Sequence, residues 1–218
     1  ALYGISRAEQ DELGVLSHTR AMAAIKAGWF DDEIAPVVIK DRKGDIVVKT
    51  DERPMETSVE KMGKLRPAFK ADGSVTAGNA SGINDGAAAV LIMSAEKAKA
   101  LGLTPFLKVK AFASGALDPA YMGLGPVPAV RQALKRAGMQ LADIDMIELN
   151  EAFAAQAIGC MRELGLKNDR PNEVGSGISL GHPIGATGAR QMVTAMHHMR
   201  RKGYRTGLIS MCIGGGMG

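Results

Sequence analysis

Few of the features that mark secreted, membrane-spanning or nucleic-acid-binding proteins occur in this sequence. It has only two cysteines, Cys160 and Cys212, so a disulfide scaffold is excluded and a reducing, cytoplasmic compartment is predicted. No apolar run approaches the ~18 residues of a membrane span, so no membrane partner is expected. Aromatic residues make up only 4% of the chain. Because no basic stripe with interleaved aromatics is present, we expect no nucleic-acid partner.

What the chain does contain is typical of a globular protein with a site for a small ligand. Apolar residues make up 46% and charged residues 23% of its 218 residues, which is enough to bury a core. With 27 glycines among 218 residues, the glycine fraction is above the usual share of about 7%. These glycines do not form low-complexity sequence. Such an excess indicates tight turns or close backbone approaches at a site. The net charge of +4 is compatible with an anionic ligand.

Helix and strand signals predict an α/β architecture. Ser6 and Glu9 form a capping box that opens a helix reaching to about residue 27. Two β-branched runs, 37–39 and 46–48, flank a charged turn and predict a hairpin. In the second half, segments with the two-residue period of strands alternate with segments that have the 3.6-residue period of helices. This alternation is typical of a mixed β-sheet layered with helices. Strands are predicted over 106–112, 144–149, 178–180 and 206–211, and helices over 95–101, 126–137, 151–164 and 186–202. In the last of these helices we expect Met192, Val193, Met196 and Met199 to face inward.

Three polar or reactive side chains follow predicted strands. Asn150, His182 and Cys212 stand at or just after strand ends, and the last two lie in glycine-rich loops. Ligands collect at the carboxyl ends of strands in α/β sheets, so these side chains are candidates for one site. Cys160 lies on the apolar face of a predicted helix, where a buried structural role fits it.

The residue types alone leave two chemistries open. One is a cysteine hydrolase, with Cys212 as nucleophile, His182 as base and Asn150 orienting the imidazole. The other is acyl transfer through a carbanion, with Cys and His as base and acid beside an oxyanion hole. No metal is expected, because the adjacent His197 and His198 point about 100° apart on a helix and no Cys-x-x-Cys spacing exists. The glycines match neither a Walker loop nor a dinucleotide fingerprint, so no nucleotide cofactor is indicated.

Five segments resemble the thiolase family. They are Asn150-Glu151-Ala152-Phe153-Ala154, Gly181 to Gly188 (GHPIGATG), Cys212 to Gly218 (CIGGGMG), Lys64 to Phe69 (KLRPAF) and Ala77 to Ala88 (AGNASGINDGAA). The first three are similar to the C-terminal signatures of that family, and the last two to its coenzyme A-binding loop domain. The resemblance implies a thiolase fold and Claisen condensation of two acetyl-CoA to acetoacetyl-CoA, with the reverse thiolysis. A 3-ketoacyl-CoA thiolase of fatty-acid β-oxidation is the alternative.

The resemblance also implies catalytic roles. His182 resembles the residue that deprotonates a nucleophilic cysteine and later donates to the thioester oxygen. Asn150 resembles the residue that holds a water in the same oxyanion hole. Cys212 resembles the base that removes the α-proton of acetyl-CoA, and Gly214 resembles a backbone N–H donor of a second oxyanion hole. Because an unperturbed thiol has a pKa of ~8.5, modest stabilisation of the thiolate would give a usable base near neutrality.

Binding roles follow from the same resemblance, with coenzyme A thioesters as substrates and no cofactor. Ser81 resembles the residue that hydrogen-bonds the pantetheine arm. The remaining matched positions are Met62, Leu65, Phe69 and Ala77 around the adenine, Met122 and Phe153 at the acyl pocket, and Arg53, Lys64 and Arg66 near the phosphates.

The organisation implied by the family places residues 1–82 in the loop domain, 83–104 at the end of the N-terminal domain and 105–218 in the C-terminal domain without its last strand. The nucleophilic cysteine of thiolases lies in a first half that these 218 residues do not match. We therefore expect this chain alone to be inactive, and a catalytically silent coenzyme A-binding fragment is a further alternative. The complete enzyme is expected to be a homodimer or homotetramer.

Overall fold

The structure, a computed structural model, describes residues 3–218. It begins with α1 (Arg7–Lys26), a hairpin of β1 (Val37–Ile39) and β2 (Ile46–Val48), and the short helices α2 (Val59–Gly63) and α3 (Ala95–Ala100). The second half contains α4 (Pro126–Ala137), β3 (Met146–Leu149), α5 (Ala154–Leu164), α6 (Gly177–Leu180), α7 (Thr187–Lys202) and β4 (Gly207–Ser210), with 3₁₀ turns at Pro119–Leu124 and Leu141–Asp143. No helix within residues 3–218 is long and apolar enough to cross a membrane.

The helix ends follow local capping chemistry. At the start of α1, Ser6 accepts from the Glu9 backbone N–H while the Glu9 carboxylate accepts from the Ser6 N–H, so the predicted capping box is confirmed. Helices α4 and α7 end at Gly138 and Gly203, both with left-handed backbone. Glycine adopts this conformation without a Cβ penalty, so the sequence signal for these ends is reliable.

Two parallel strands form the centre of the second half. Strand β3 pairs with β4 in the register Leu149↔Ser210, and α7 contacts both strands. Around them, α5 buries its apolar face, including Cys160 and Ile158 at 0% exposure, as predicted for Cys160. Parallel pairing requires a long crossover, which the segment through α5, α6 and α7 supplies. The predicted α/β class is therefore confirmed.

Two predicted strands are wrong. Residues 178–180 form the helix α6 instead of a strand, because the Leu180 N–H donates to the Ser176 carbonyl (2.7 Å) and the Gly181 N–H to that of Gly177 (3.1 Å). A three-residue apolar run that is buried on all sides shows no periodicity that separates helix from strand. Residues 106–112 form no regular secondary structure and pair with no other backbone among residues 3–218, and Phe112 is 81% exposed. A strand requires a hydrogen-bonded partner as well as an alternating pattern.

The inward face of α7 is also more polar than predicted. Of the four expected residues, Met199 is buried, whereas Met192, Val193 and Met196 are only partly so. The buried face is instead made by Thr187, Gln191, Thr194, Ala195, His198 and Met199. Thr194 donates to Glu33 (3.0 Å) and the His198 Nε2 lies 3.1 Å from the Glu173 carboxylate. Polar partners on the facing segments thus rotate the buried face of α7 away from the one that hydrophobicity alone predicts, although Met199 belongs to both.

One carboxyl group is completely enclosed in this interior. Glu148 on β3 is 0% exposed, and neither of its carboxylate oxygens has a hydrogen-bond partner within residues 3–218. Burial raises the pKa of Glu148 to about 8, although the nearby positive charge of Arg190 opposes the shift. The folded chain therefore holds a proton on this group that the unfolded chain releases near pH 4.3.

The pH dependence of stability checks this interpretation. The folded pKa of Glu148 is raised, so its contribution to the free energy of unfolding is present below the unfolded pKa and declines as pH rises toward 8. We expect Glu148→Gln, which mimics the protonated acid, to gain stability relative to the unmodified chain between pH 5.5 and 8, at no more than about 1.4 kcal/mol per pH unit. Denaturant unfolding at both pH values measures the difference. Glu12→Gln, at an exposed position, is the control, and a Glu148→Gln difference that is equal at both pH values would contradict the interpretation.

Candidate active site

The parallel strands bring two predicted catalytic residues to one sheet edge. The Asn150 N–H donates to the Ser210 carbonyl (2.9 Å), so the chain continues from β3 beside the segment that leads to Cys212. The Asn150 side chain is 0% exposed, and neither atom of its amide group has a partner within residues 3–218. Buried polar groups are usually paired, so this amide is available to a bound water or ligand.

Helix α6 begins directly against Asn150. A Cβ atom added to Gly177 would lie 2.8 Å from the Asn150 Oδ1, so glycine permits the approach. His182 follows α6 at once, and its backbone N–H donates to the Gly82 carbonyl (3.1 Å). The structure therefore places the histidine loop on the same side of the sheet as Asn150.

The His182 ring is held by a residue that the sequence reasoning missed. Its Nδ1 lies 2.7 Å from the Thr187 hydroxyl, and that hydroxyl donates to the Pro183 carbonyl (3.0 Å). Because the hydroxyl proton is donated to Pro183, the Thr187 oxygen accepts a hydrogen bond from the Nδ1–H of His182, and Nε2 of the neutral ring is then unprotonated and can act as a base. Burial lowers the pKa of His182, and the positive charge of Arg190 lowers it further. The available signal was the position of Thr187 in the first turn of α7, five residues after the histidine.

Cys212 lies beside this assembly. A Cβ atom added to Gly188 would be 3.3 Å from the Met211 Cε, so the start of α7 contacts the residue that precedes the cysteine. Cys212 is half-buried, and burial raises the pKa of its thiol, while its backbone N–H favours the thiolate. The net direction in this structure favours the thiol at neutral pH, and the role of Cys212 as a base stays a prediction.

The loop after Cys212 is short and closed. Ile213 and Met217 pair through their backbones, with the Ile213 N–H 2.7 Å from the Met217 carbonyl oxygen. Gly214 is exposed, with open space around its Cα. Its N–H is thus on an accessible turn, as an oxyanion donor must be. Its role stays a prediction.

The predicted coenzyme A motif lies between the two catalytic loops. The Ser81 N–H donates to the Ala152 carbonyl (2.9 Å), and Ala80 pairs with Phe153 in an antiparallel bridge. The next residue, Gly82, accepts from His182. Ser81 is therefore placed directly between the Asn150 segment and the histidine loop.

The other predicted binding residues differ in accessibility. Phe69 is 73% exposed, and its ring packs edge-on against Phe153 with centroids 6.3 Å apart. Leu65, Ala77 and Met122 are exposed as well, whereas Met62 is only 3% exposed and lies beneath the surface. Met62 would therefore pack beneath the residues that line an adenine pocket and would not itself line the pocket.

Arg53, predicted to lie near the phosphates, bonds to two backbone carbonyls, and its role toward a ligand stays a prediction. Its Nε donates to the Ile178 carbonyl (2.8 Å) and one Nη to the Ala80 carbonyl (3.3 Å). The Arg53 side chain thus joins the coenzyme A motif to α6. Lys64 and Arg66 are exposed. Within residues 3–218, no group of three or more His, Cys, Asp or Glu side chains is arranged to hold a metal ion.

Comparison with known proteins identifies the family. The family model "Thiolase, C-terminal domain" matches residues 103–218, and "Thiolase, N-terminal domain" matches residues 1–96. The chain belongs to the thiolase family. The finer division at residues 82 and 104 and the individual site roles stay predictions.

Curated relatives and solved structures agree with this assignment. The acetyl-CoA acetyltransferase of Syntrophomonas wolfei is 57% identical over 219 residues, which cover 100% of this chain and 55% of the relative. That of Escherichia coli is 54% identical, with 99% and 55% covered. The Bacillus anthracis acetyl-CoA acetyltransferase structure superposes with a TM-score of 0.96 at 48% identity, covering 99% of this chain and 55% of that one. Human mitochondrial 3-ketoacyl-CoA thiolase gives a TM-score of 0.92 at 39% identity, with the same coverage. The chain thus spans about half the length of the relatives it matches.

The Thr187 contact predicts a tautomer that can be measured. In the unmodified chain we expect neutral His182 to carry its proton on Nδ1, and Thr187→Val to shift the tautomer ratio toward Nε2–H about fivefold, since the lost bond is worth about 1 kcal/mol. Imidazole ¹⁵N chemical shifts at pH 8 report the protonated nitrogen. Thr187→Ser keeps the hydroxyl and should retain the original tautomer. Identical shifts in the valine and serine variants would remove the assigned role of Thr187.

Proposed function

We propose that this chain supplies the base-bearing part of a thiolase that condenses two acetyl-CoA to acetoacetyl-CoA and runs the reverse thiolysis. The observation that carries the proposal is the position of Ser81 and Gly82, whose backbones bond to the Asn150 segment on one side and to His182 on the other. A coenzyme A arm at Ser81 would therefore deliver its thioester to the edge where Asn150, His182 and Cys212 meet.

The groups at this edge fit the condensation step. Cys212 as thiolate would take the α-proton of acetyl-CoA, and the electron pair would move to the thioester oxygen as an enolate. Once its Nε2 carries the proton taken from the acyl-carrying cysteine, His182 would donate to that oxygen together with a water held by Asn150. The enolate carbon would then attack an acyl group carried on a separate cysteine, with the Gly214 N–H facing the new oxyanion. As that cysteine leaves, it would regain from His182 the proton that the histidine took from it during acylation, and the α-proton on Cys212 would pass to the CoA thiolate released in that step.

Neither cysteine of the chain fits the acyl-carrying role. Cys160 is 0% exposed, its thiol donates to the Gly123 carbonyl (3.2 Å), and burial raises its pKa to about 12. A thiol in this state is a poor nucleophile. Cys212 is the base in this proposal, so the nucleophile would come from elsewhere in a complete thiolase.

A specific observation also supports longer acyl chains. The human mitochondrial 3-ketoacyl-CoA thiolase shares the fold over 99% of this chain. Among sequence relatives, however, acetyl-CoA acetyltransferases recur at 52–57% identity. We therefore favour acetyl-CoA as substrate, within a homodimeric or homotetrameric enzyme. Equal or better use of longer 3-ketoacyl-CoA substrates by an enzyme that contains this chain would reverse the preference.

The purified 218-residue chain should show no thiolysis of acetoacetyl-CoA, because it lacks a cysteine that can accept the acyl group. The measurement is the loss of acetoacetyl-CoA in the presence of CoA, followed against a protein-free blank. Turnover above that blank would mean that Cys160 or Cys212 does accept the acyl group, and acyl labelling of Cys212 would favour the cysteine hydrolase chemistry.

The base can be tested without a nucleophile, through exchange of the α-protons of acetyl-CoA with D₂O. We expect Cys212→Ser to reduce the exchange rate at least about 100-fold, within the range of general-base contributions. Cys160→Ser, the other cysteine, should leave the rate unchanged. Since burial raises the pKa of Cys212, the rate should climb about tenfold per pH unit between pH 7 and 8. Exchange that survives in Cys212→Ser, or that is flat with pH, would contradict the assigned base.

A further inference from the structure

A buried carboxylate on α1 connects the two segments that carry the predicted adenine contacts: residues 62–69 through Arg7, and residues 74–79 directly through Asn79. Asp11 is 2% exposed. Its Oδ2 accepts from the Arg7 Nε (2.7 Å), and its Oδ1 accepts from the Asn79 Nδ2 (2.8 Å). Both oxygens therefore serve charged or amide donors, as a carboxylate removed from water requires.

Arg7 carries this connection to the first segment. Its Nη2 donates to the Met62 carbonyl (2.6 Å) and the Leu65 carbonyl (3.2 Å), at the end of α2. The Met62 carbonyl lies in the last turn of α2, where it has no i+4 helical partner and accepts from the Leu65 N–H (3.0 Å) as well. Asp11 orients the guanidinium, and the guanidinium fixes the backbone that presents Leu65 and, beyond it, Phe69.

Asn79 carries the connection to the second segment. Its side chain is 0% exposed, its Oδ1 accepts from the Thr76 N–H (2.8 Å), and its Nδ2 also donates to the Ser74 carbonyl (3.0 Å). The backbone carbonyl of Asn79 accepts from the Ala154 N–H (2.8 Å) at the start of α5. The turn that holds Ala77 is thereby fixed to α1 and to the segment after Asn150.

Close packing reinforces these bonds. A Cβ atom added to Gly14, one turn after Asp11, would lie 2.5 Å from the Gly78 carbonyl oxygen and 3.0 Å from the Met62 Sδ. Helix α1 therefore touches both segments at van der Waals distance, and neither can shift toward it.

We propose that Asp11 is a positioning residue of the coenzyme A site, which holds residues 62–69 and 74–79 at the spacing that receives the adenine end of the ligand. The proposal rests on the proposed function for the identity of the ligand. Asp11 is buried and is not assigned any contact with coenzyme A. Its effect is transmitted by Arg7 and Asn79, whose bonds lead to these two segments and not to His182 or Cys212.

The test substitutes Asp11→Asn in the full 218-residue chain. Asparagine has one acceptor oxygen in place of two and cannot accept from both Arg7 and Asn79, so one connection must break. Calorimetric titration with CoA should show affinity weakened about tenfold or more, whereas pantetheine, which lacks the adenine nucleotide, should bind within about twofold of the unmodified chain. Hydrogen exchange should accelerate at least about tenfold in 62–66 or 74–79 and stay unchanged in β3.

Two variants control this experiment. Arg20→Gln removes similar bonds from α1 to the Pro171 and Asp169 carbonyls, and it should leave CoA affinity unchanged. Arg7→Gln, at a partly exposed position, should reproduce the CoA defect if Asp11→Asn does not fold. Unchanged exchange in both segments, unchanged CoA affinity, or equal losses for CoA and pantetheine would each overturn the proposal. If the unmodified chain binds no CoA, the proposed function fails, and the exchange measurement still decides whether Asp11 holds the segments.

Discussion

The carboxylate of Glu151 is the interaction on which the site depends. It is buried beside Asn150 and accepts from Ser17 on α1 (2.7 Å), from Asn172 (3.0 Å) and from the Ile178 N–H of α6 (3.3 Å). Burial raises the pKa of Glu151, and the hydrogen bonds oppose the shift. Removing one of these donors would cost about 1–3 kcal/mol, because a buried acceptor would be left without its partner. Three elements distant in sequence are therefore joined at the residue next to the predicted oxyanion-hole amide.

Asn172 extends this connection to the sheet. Its backbone is left-handed, with φ 62°, and its side-chain amide donates to the Leu149 carbonyl and accepts from the Leu149 N–H, both at 2.8 Å. One side chain thus satisfies both backbone groups of the last residue of β3, as a neighbouring strand would. Satisfying them is necessary because Leu149 is buried, where an unpaired backbone group is strongly disfavoured. From Asn172 the chain then proceeds to α6 and the histidine loop.

Local chemistry made much of this fold predictable, and non-local contacts account for the rest. The ends of α1, α4 and α7 depend on Ser6, Gly138 and Gly203, and each signal lies within a few residues of the end it sets. The grouping of Asn150 with Cys212 follows from parallel pairing and could be anticipated from strand ends. The helix at 178–180 could not be predicted from the sequence. Its first turn is held by Glu151 and Ser176, and a run of three residues gives no sign of either contact. The polar face of α7 likewise depends on Glu33 and Glu173, which come from distant loops.

The two cysteines show how position, and not residue type, selects reactivity in this chain. Cys160 is enclosed by α5 and bonded to a backbone carbonyl, an environment that holds its proton firmly. Cys212 lies where β4 gives way to a glycine loop and is only half-buried. Its burial still disfavours the thiolate, so a base at this position needs a ligand or a neighbouring donor to stabilise the charge when it forms. Burial lowers the pKa of His182, and the charge of Arg190 lowers it further, which favours the neutral imidazole near pH 7. A neutral imidazole with a free Nε2 and a protonated thiol form a resting state in which neither group is charged before substrate arrives.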